Sequence, residues 1–319
     1  MQLRFLYVFT DLILPLVVGY YMHKHKLIDG KICNKLISFN IIVICTILSI
    51  LSFWVLPLTA QLIWLPLFGI ILSIIPGVIS YIFVAHRYKN YLERGSYLAS
   101  AMLSNLGTLG GLCAFILYGE IGFAYVQMVG LFQNIVLLLF CFPMAQYYYQ
   151  QQKNIANGQR MKLDLRQLFI NWNQLPIIGM TIGMAFYLLA VPRPPILGTV
   201  FESMVHVGAW LALLPVGYLI DFAAAQKYYR RIIDLLPIKF IITPILVYLI
   251  IIHLFDDQII LGTMILLATT PTAINAVVTA RLFKLNVDLS IAAFILTTAI
   301  YLLVVFPVLF FYITSGRTL

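Results

Sequence analysis

Charge is what this chain has least of. Asp, Glu, Lys and Arg together make up 10% of its 319 residues, where an ordinary soluble domain carries roughly 25%. That scarcity excludes a water-soluble globular protein. Cysteine is scarce too: Cys33, Cys45, Cys113 and Cys141 fall in apolar runs or beside a basic loop, without CxxC or metal-ligand spacing. This argues against a disulfide framework or a zinc site and leaves them as small packing residues. Also missing are HExxH, a GxSxG elbow and paired intramembrane aspartates, so the chain does not read as an enzyme and implies no cofactor. The net charge of +9 would suit nucleic acid if it formed a helical face. Instead the basic residues sit in short loops between apolar runs, so membrane topology explains them and no nucleic-acid partner is expected.

What is abundant is apolar sequence, 62% of residues with a mean hydropathy of +0.99. The first run lacks the charged leader and cleavage site of a signal peptide and is read as the first span. Segments near 5–22, 35–56, 62–85, 96–118, 122–148, 171–191, 197–222, 235–254, 258–281 and 288–314 suit a hydrocarbon core of about 30 Å, which takes roughly 20 helical residues. The fold expected is an all-α polytopic membrane protein of ten transmembrane helices.

Connector charge alternates. Lys24, Lys26, Lys31 and Lys35 follow the first span, Arg87, Lys89 and Arg94 the third, Lys153, Arg160, Lys162 and Arg166 the fifth, Lys227, Arg230 and Arg231 the seventh, and Arg281 and Lys284 the ninth. The opposite side holds Arg4, Arg193 and Arg317. Positive-inside bias then places both termini outside the cytoplasm of a cell membrane. Lys239, just inside the eighth span, is expected to snorkel to the cytoplasmic face.

The two halves look alike. "WLPLFGIILSIIPGVISYI" from Trp64 has a counterpart in "LLPIKFIITPILVYLI" from Leu235, "LLLFCFP" ending at Pro143 matches "YLLVVFP" ending at Pro307, and Pro15 answers Pro176. An offset of about 161 to 171 residues recurs, implying two copies of one unit. Residues 1–148 form the first five-helix repeat, 149–170 a cytoplasmic linker and 171–319 the second repeat. Five is odd, so the copies are inverted, an arrangement typical of secondary transporters with a midplane site between broken helices.

Polar residues mark where the breaks fall. "ATTPTAINAVV" (268–278) puts Thr270, Pro271, Thr272 and Asn275 in the middle of the ninth span, and the fourth span carries Ser104, Asn105, Gly107, Thr108, Gly110 and Gly111 at the same depth. A lipid-facing proline would expose carbonyls to hydrocarbon, so something other than lipid should surround Pro271. Half-helices beginning near Thr108 and Ala273 would aim positive ends inward and favour an anion. Gly107 and Gly111 also form a GxxxG that permits close packing. Gln127, Gln133 and Asn134 on the fifth span, with Thr297 and Thr298 on the tenth, are placed either to line the same cavity or to bond between helices. Asp11, Glu202 and His206 in the first and seventh spans are candidates for coupling to H+ or Na+, since intramembrane ionisable groups are functional by default. Glu202 and His206 are spaced to share a helix face.

On these stretches the chain resembles the auxin efflux carriers, relatives of the bile acid/sodium symporters in a wider group of ten-helix carriers. "LPLVVGYYMHKHKLID" resembles that family's first helix and basic turn, "SNLGTLGGLCAFILYGEIGFAYVQM" its Asn-x-Gly fourth helix and Tyr-Gly-Glu loop, and "TTPTAINAVVTARLFKLNVDLSIAAFIL" its Pro-containing ninth helix. The resemblance implies a scaffold of helices 1, 2, 6 and 7, and a mobile core of helices 3 to 5 and 8 to 10 with an X-shaped crossover at Asn105 and Pro271. It implies cargo such as auxin, malate or malonate. The chain departs from the family where a proline usually follows the fourth-helix glycines; here stand Gly110, Gly111 and Leu112. The function expected is alternating-access transport of a small organic anion, with an anion channel or a non-transporting sensor as alternatives. Its partners are then the anion and the lipid bilayer, with a homodimer left open.

Overall fold

The computed structural model describes residues 6–153, 175–219 and 226–315. Most of the linker 149–170, and Arg4, Arg160, Lys162, Arg166 and Arg317, lie outside the described residues. Helix dominates, and no strand occurs among the described residues. In chain order the helices are α1 (Leu14–Lys24), preceded by a π-helical turn Val8–Ile13, α2 (Gly30–Trp54), α3 (Leu65–Phe83), α4 (Tyr91–Met102), α5 (Leu106–Lys153), α6 (Leu175–Leu188), α7 (Ile196–Tyr218), α8 (Leu235–Ile251), α9 (Gln258–Ala268), α10 (Ile274–Leu282) and α11 (Val287–Thr314). Among the described residues, five helical stretches are long and apolar enough to cross a membrane: Gly30–Trp54, Ala60–Phe83, Leu106–Lys153, Ile196–Tyr218 and Val287–Thr314. The protein is membrane-embedded.

Local chemistry starts these helices. Asp29, Asn90, Asp257 and Asn286 each turn a side-chain oxygen onto an N–H of the following first turn, filling donors that an apolar helix cannot satisfy. Run straight, the 48 residues of α5 would exceed any bilayer at about 1.5 Å per residue. Gly119, at φ 66° and ψ −150°, breaks the helix, a backbone region that glycine enters without a Cβ clash.

The described residues group into two units. The first comprises those within Met1–Leu62, Gly107–Gln127 and Asp164–Ile220, the second those within Ile63–Leu106, Met128–Leu163 and Asp221–Leu319. The first unit is packed through glycine. A Cβ on Gly19 of α1 would stand 2.0 Å from the Leu214 carbonyl oxygen of α7, and one on Gly217 of α7 would stand 2.2 Å from the Leu16 oxygen of α1. In the same way Gly179 and Gly183 of α6 press on the Thr46 and Ile50 oxygens of α2, at 2.6 and 2.4 Å. Such approach of bare backbones is how helices adhere where no hydrophobic effect separates them from lipid.

In the second unit the connectors before α4, α8 and α11 meet. Arg87 pairs with Asp234 at 3.3 Å, Arg231 with Glu93 at 3.1 Å and Lys227 with Asp288 at 3.3 Å. Asn286 donates to the Tyr228 hydroxyl at 2.6 Å, and the Tyr88 hydroxyl donates to the Arg231 carbonyl at 2.7 Å. Those three connectors carry Arg87, Lys89, Lys227, Arg230, Arg231 and Lys284, six of the basic residues that positive-inside bias assigned to one side.

Candidate functional site

The interrupted helices meet inside the second unit. α4 ends at Met102, Leu103 turns extended at φ −92° and ψ 110°, and helix resumes as a π turn at Leu106. α9 ends at Ala268, and α10 starts after an extended Ala273 at φ −78° and ψ 153°. Between them Ser104 and Thr272 face each other in an isolated antiparallel bridge. The Asn105 N–H donates to the Pro271 carbonyl at 2.8 Å, and the Ala273 N–H donates to the Leu103 carbonyl at 2.8 Å. Each break therefore fills the backbone groups that the other exposes, as burial in a low-dielectric setting requires. The restart falls at Leu106 rather than near Thr108, and the break forms without the proline seen in the resembled family, because the pairing with 271–273 holds 103–105 extended.

Side chains fix this crossing from four directions. The Thr272 N–H donates to Thr297 Oγ1 at 3.0 Å, and the Thr272 hydroxyl donates to the Ser100 carbonyl at 2.9 Å. Gln133 Nε2 donates to the Ser104 carbonyl at 2.8 Å, and Lys239 Nζ donates to Ser104 Oγ at 2.9 Å. The hydroxyls of Thr269 and Thr270 fold back onto the Leu266 and Leu267 carbonyls, capping the last turn of α9. Beneath lies an apolar cluster of Leu103, Val136, Cys141, Ala273 and Ala276.

Lys239 departs from the sequence expectation. It is 1% exposed and sits in a π-helical turn, Ile238–Ile242, with its ammonium on Ser104 rather than snorkelling to the surface. A lysine five residues past Asp234 can reach water or the interior equally well by length. Its only internal signal was the apolar company of Pro237, Ile238, Phe240 and Ile241. Ser104 was visible as part of the polar patch, but nothing in the sequence marked it as the point where Lys239 and Gln133 converge.

Of the residues singled out in the sequence, Asn105, Pro271 and Thr272 come together directly at the bridge, all buried, with Thr270 adjacent and fully buried. Asn275 is exposed in the first turn of α10, and its carbonyl accepts from the Thr279 hydroxyl. Asn134 is exposed on α5 beside Gln133, the residue whose side chain reaches Ser104. Thr297 holds Thr272, and Thr298 is buried next to it. Gly107, exposed, and Thr108 and Gln127, half-buried, belong to the first unit.

The coupling candidates also lie in the first unit. Asp11, 3% exposed and within the π turn Val8–Ile13, meets His206 Nδ1 through Oδ2 at 2.5 Å. The rings of Tyr7 and Phe115 lie against the imidazole at 4.3 and 6.3 Å between centroids. Glu202 is exposed, so the pair that forms is Asp11 with His206. Arg193 grips Glu120 through two bonds of 2.6 and 3.2 Å. Among the described residues no group of three or more His, Cys, Asp or Glu is placed to hold a metal ion, and the four cysteines are free thiols. Neither a scan against protein-family models nor a search of curated proteins finds a match for this chain.

Proposed function

We propose that this protein is a secondary carrier that moves a small organic anion, an auxin- or malate-like carboxylate, across a cell membrane by alternating access. The single observation that carries this reading is the reciprocal bridge of 103–105 with 271–273. Two helices of an apolar protein give up their regularity at one place, and the interruption has a use if a ligand is to reach backbone there. Ala273 caps α10 without a side-chain hydrogen bond, and the Ala276 N–H turns back to the Ala273 carbonyl, so the leading N–H groups of Ile274 and Asn275 and the positive end of the dipole are what an acceptor of opposite sign would meet. Asn105 and Asn275 supply amides to orient a carboxylate, and the ammonium of Lys239 stands one hydroxyl away from the bridge.

Two further observations favour a pair of inverted five-helix repeats. Glycine packing joins the first span to the seventh and the second to the sixth, pairings that exchange under a five-span shift. The basic connectors gathered in the second unit fit one cytoplasmic face, with both termini outside. The resemblance to auxin efflux carriers agrees with this reading and leaves the cargo open among carboxylates.

Purified protein in liposomes tests the proposal. Saturable uptake and counterflow of a labelled mono- or dicarboxylate are expected. Flux that rises without saturation would mean a channel, and silence across a broad panel of organic anions would sink the carrier reading in favour of a sensor.

A further inference from the structure

A carboxylate and an imidazole meet at depth in the first unit. Asp11 is buried, and His206 stands ten residues into α7, about 15 Å along it at 1.5 Å per residue and half the thickness of a hydrocarbon core. At 2.5 Å from Nδ1 to Oδ2 the ring can donate straight to the carboxylate. The tautomer that does so leaves Nε2 with a lone pair. In that state the pair carries one negative charge, which an apolar seam opposes. A proton on Nε2 brings it to zero.

Among the described residues, the titratable and charged groups facing the imidazole are Tyr7 and Asp11 from the first span and Glu202 one turn back on α7. The Tyr7 hydroxyl donates to the Glu202 carboxylate, and Glu202 is exposed, so exchangeable groups lead from the surface toward the ring. The other elements bring nothing that titrates: α5 lays Phe115 on the imidazole, and α2 sets Asn40 against Gly208. The Arg193–Glu120 pair stands about two turns away, where Glu120 approaches Gly198. A hard metal cation asks for a cage of oxygens, whereas here a ring nitrogen occupies the carboxylate.

We infer that the Asp11–His206 pair is a proton-binding site and that the proton is the co-substrate carried with the organic anion. The transport half rests on the carrier reading, while proton binding concerns the folded protein alone. The proton passes from water by way of Glu202 and Tyr7 to Nε2, and leaves to water on the other face when the anion is released. Proton and monovalent anion offset each other, so the loaded and the empty protein present the same net charge to the bilayer. Only the half-loaded forms carry an excess charge, which a low-dielectric barrier opposes.

The test uses liposomes in sodium-free medium, with protein-free vesicles as the blank. An acid-outside gradient should drive wild-type accumulation of a labelled monocarboxylate, about tenfold per pH unit for one proton per anion, and unlabelled carboxylate added outside should alkalinise the medium. Asp11→Asn removes the negative charge, so it should lose both responses yet still exchange carboxylate at equal pH. His206→Asn keeps a donor near the Nδ1 position but fixes the charge at one negative, and its exchange should be slower by about tenfold or more. The double variant, neutral again, should recover exchange, which a merely structural contact would not do. Wild-type uptake that needs sodium or ignores the pH gradient, Asp11→Asn still moving protons, or a double variant no faster than His206→Asn would each overturn the inference. If the wild type moves no carboxylate in any medium, the carrier reading fails by itself. The His206 ring resonance, identified by its loss in His206→Asn, then decides the proton site. It should titrate between about pH 4 and pH 10 and shift its midpoint by about one unit or more in Asp11→Asn. A ring that does not titrate, or whose midpoint ignores the substitution, removes the site.

Discussion

The two units hold together by different physics. In the first, contact is a matter of shape: Gly19, Gly179, Gly183 and Gly217 let one helix rest on the bare carbonyls of another. The second unit has such a contact too, at Gly69 against the Val129 oxygen, but adds a polar centre in which Ser100, Ser104, Thr272, Thr297, Gln133 and Lys239 exchange hydrogen bonds around two interrupted helices. Shape-based packing in lipid has one good arrangement and resists change. A hydrogen-bonded centre costs more to build, and each partner left unmade there costs more than a lost apolar contact.

The sharpest way to break this contrast is Gly19→Ala, which drives a Cβ to 2.0 Å from the Leu214 oxygen. A backbone atom cannot yield cheaply, so a loss of about 3 kcal/mol or more is expected, seen as aggregation or loss of the monodisperse peak in detergent. Gly107→Ala, where nothing lies within 4 Å of the added carbon, should leave the melting temperature unmoved. Next comes Thr272→Val, which strips the donor to the Ser100 carbonyl. A cost of about 1 to 2 kcal/mol is expected, with a melting point lowered by a few degrees and uptake falling further than stability accounts for. If uptake survives intact, the crossing is scaffolding rather than machinery.

Asn105→Ala and Asn275→Ala sharpen the comparison inside the second unit. Each should weaken carboxylate binding about tenfold, near 1.4 kcal/mol, with a smaller melting shift than Thr272→Val. Wild-type affinity in both would remove these amides from the site. The smallest effect belongs to the surface: Lys227 and Asp288 form an ion pair with side chains 63% and 41% exposed, so Lys227→Ala should change stability by no more than about 0.5 kcal/mol and vanish into salt screening.

Much of the crossing could be read from residue types alone. A proline flanked by threonines, and an asparagine among glycines at the same depth in another span, are poor lipid-facing sequence, and both places are where helix stops. The glycines misled about where helix resumes. Gly107 and Gly110 looked like the unwound stretch, yet the chain re-enters a π turn at Leu106, because backbone pairing with Pro271 and Ala273, a long-range contact, decides which residues extend. Lys239 was illegible for a similar reason: whether a long side chain turns to water or inward depends on what waits at the other end, and Ser104 lies 135 positions away. Asp11 finding His206 instead of leaving it to Glu202 is likewise a partnership between distant spans, 195 positions apart, which spacing along one helix could not register.

The π turns carry a consequence for how such a protein tolerates change. Asp11, Asn40 and Lys239, all buried, each occupy one of these widened turns, which accommodate a single extra residue in an otherwise regular helix. Deleting one residue within Ile238–Ile242 would tighten the turn to regular helix and leave Thr243, Val247 and Ile251 on the side they now bury, whereas the same deletion in a regular stretch would rotate everything beyond by about 100°. A change of length at these turns is absorbed where it falls, whereas one elsewhere in the helix rewrites the whole face downstream.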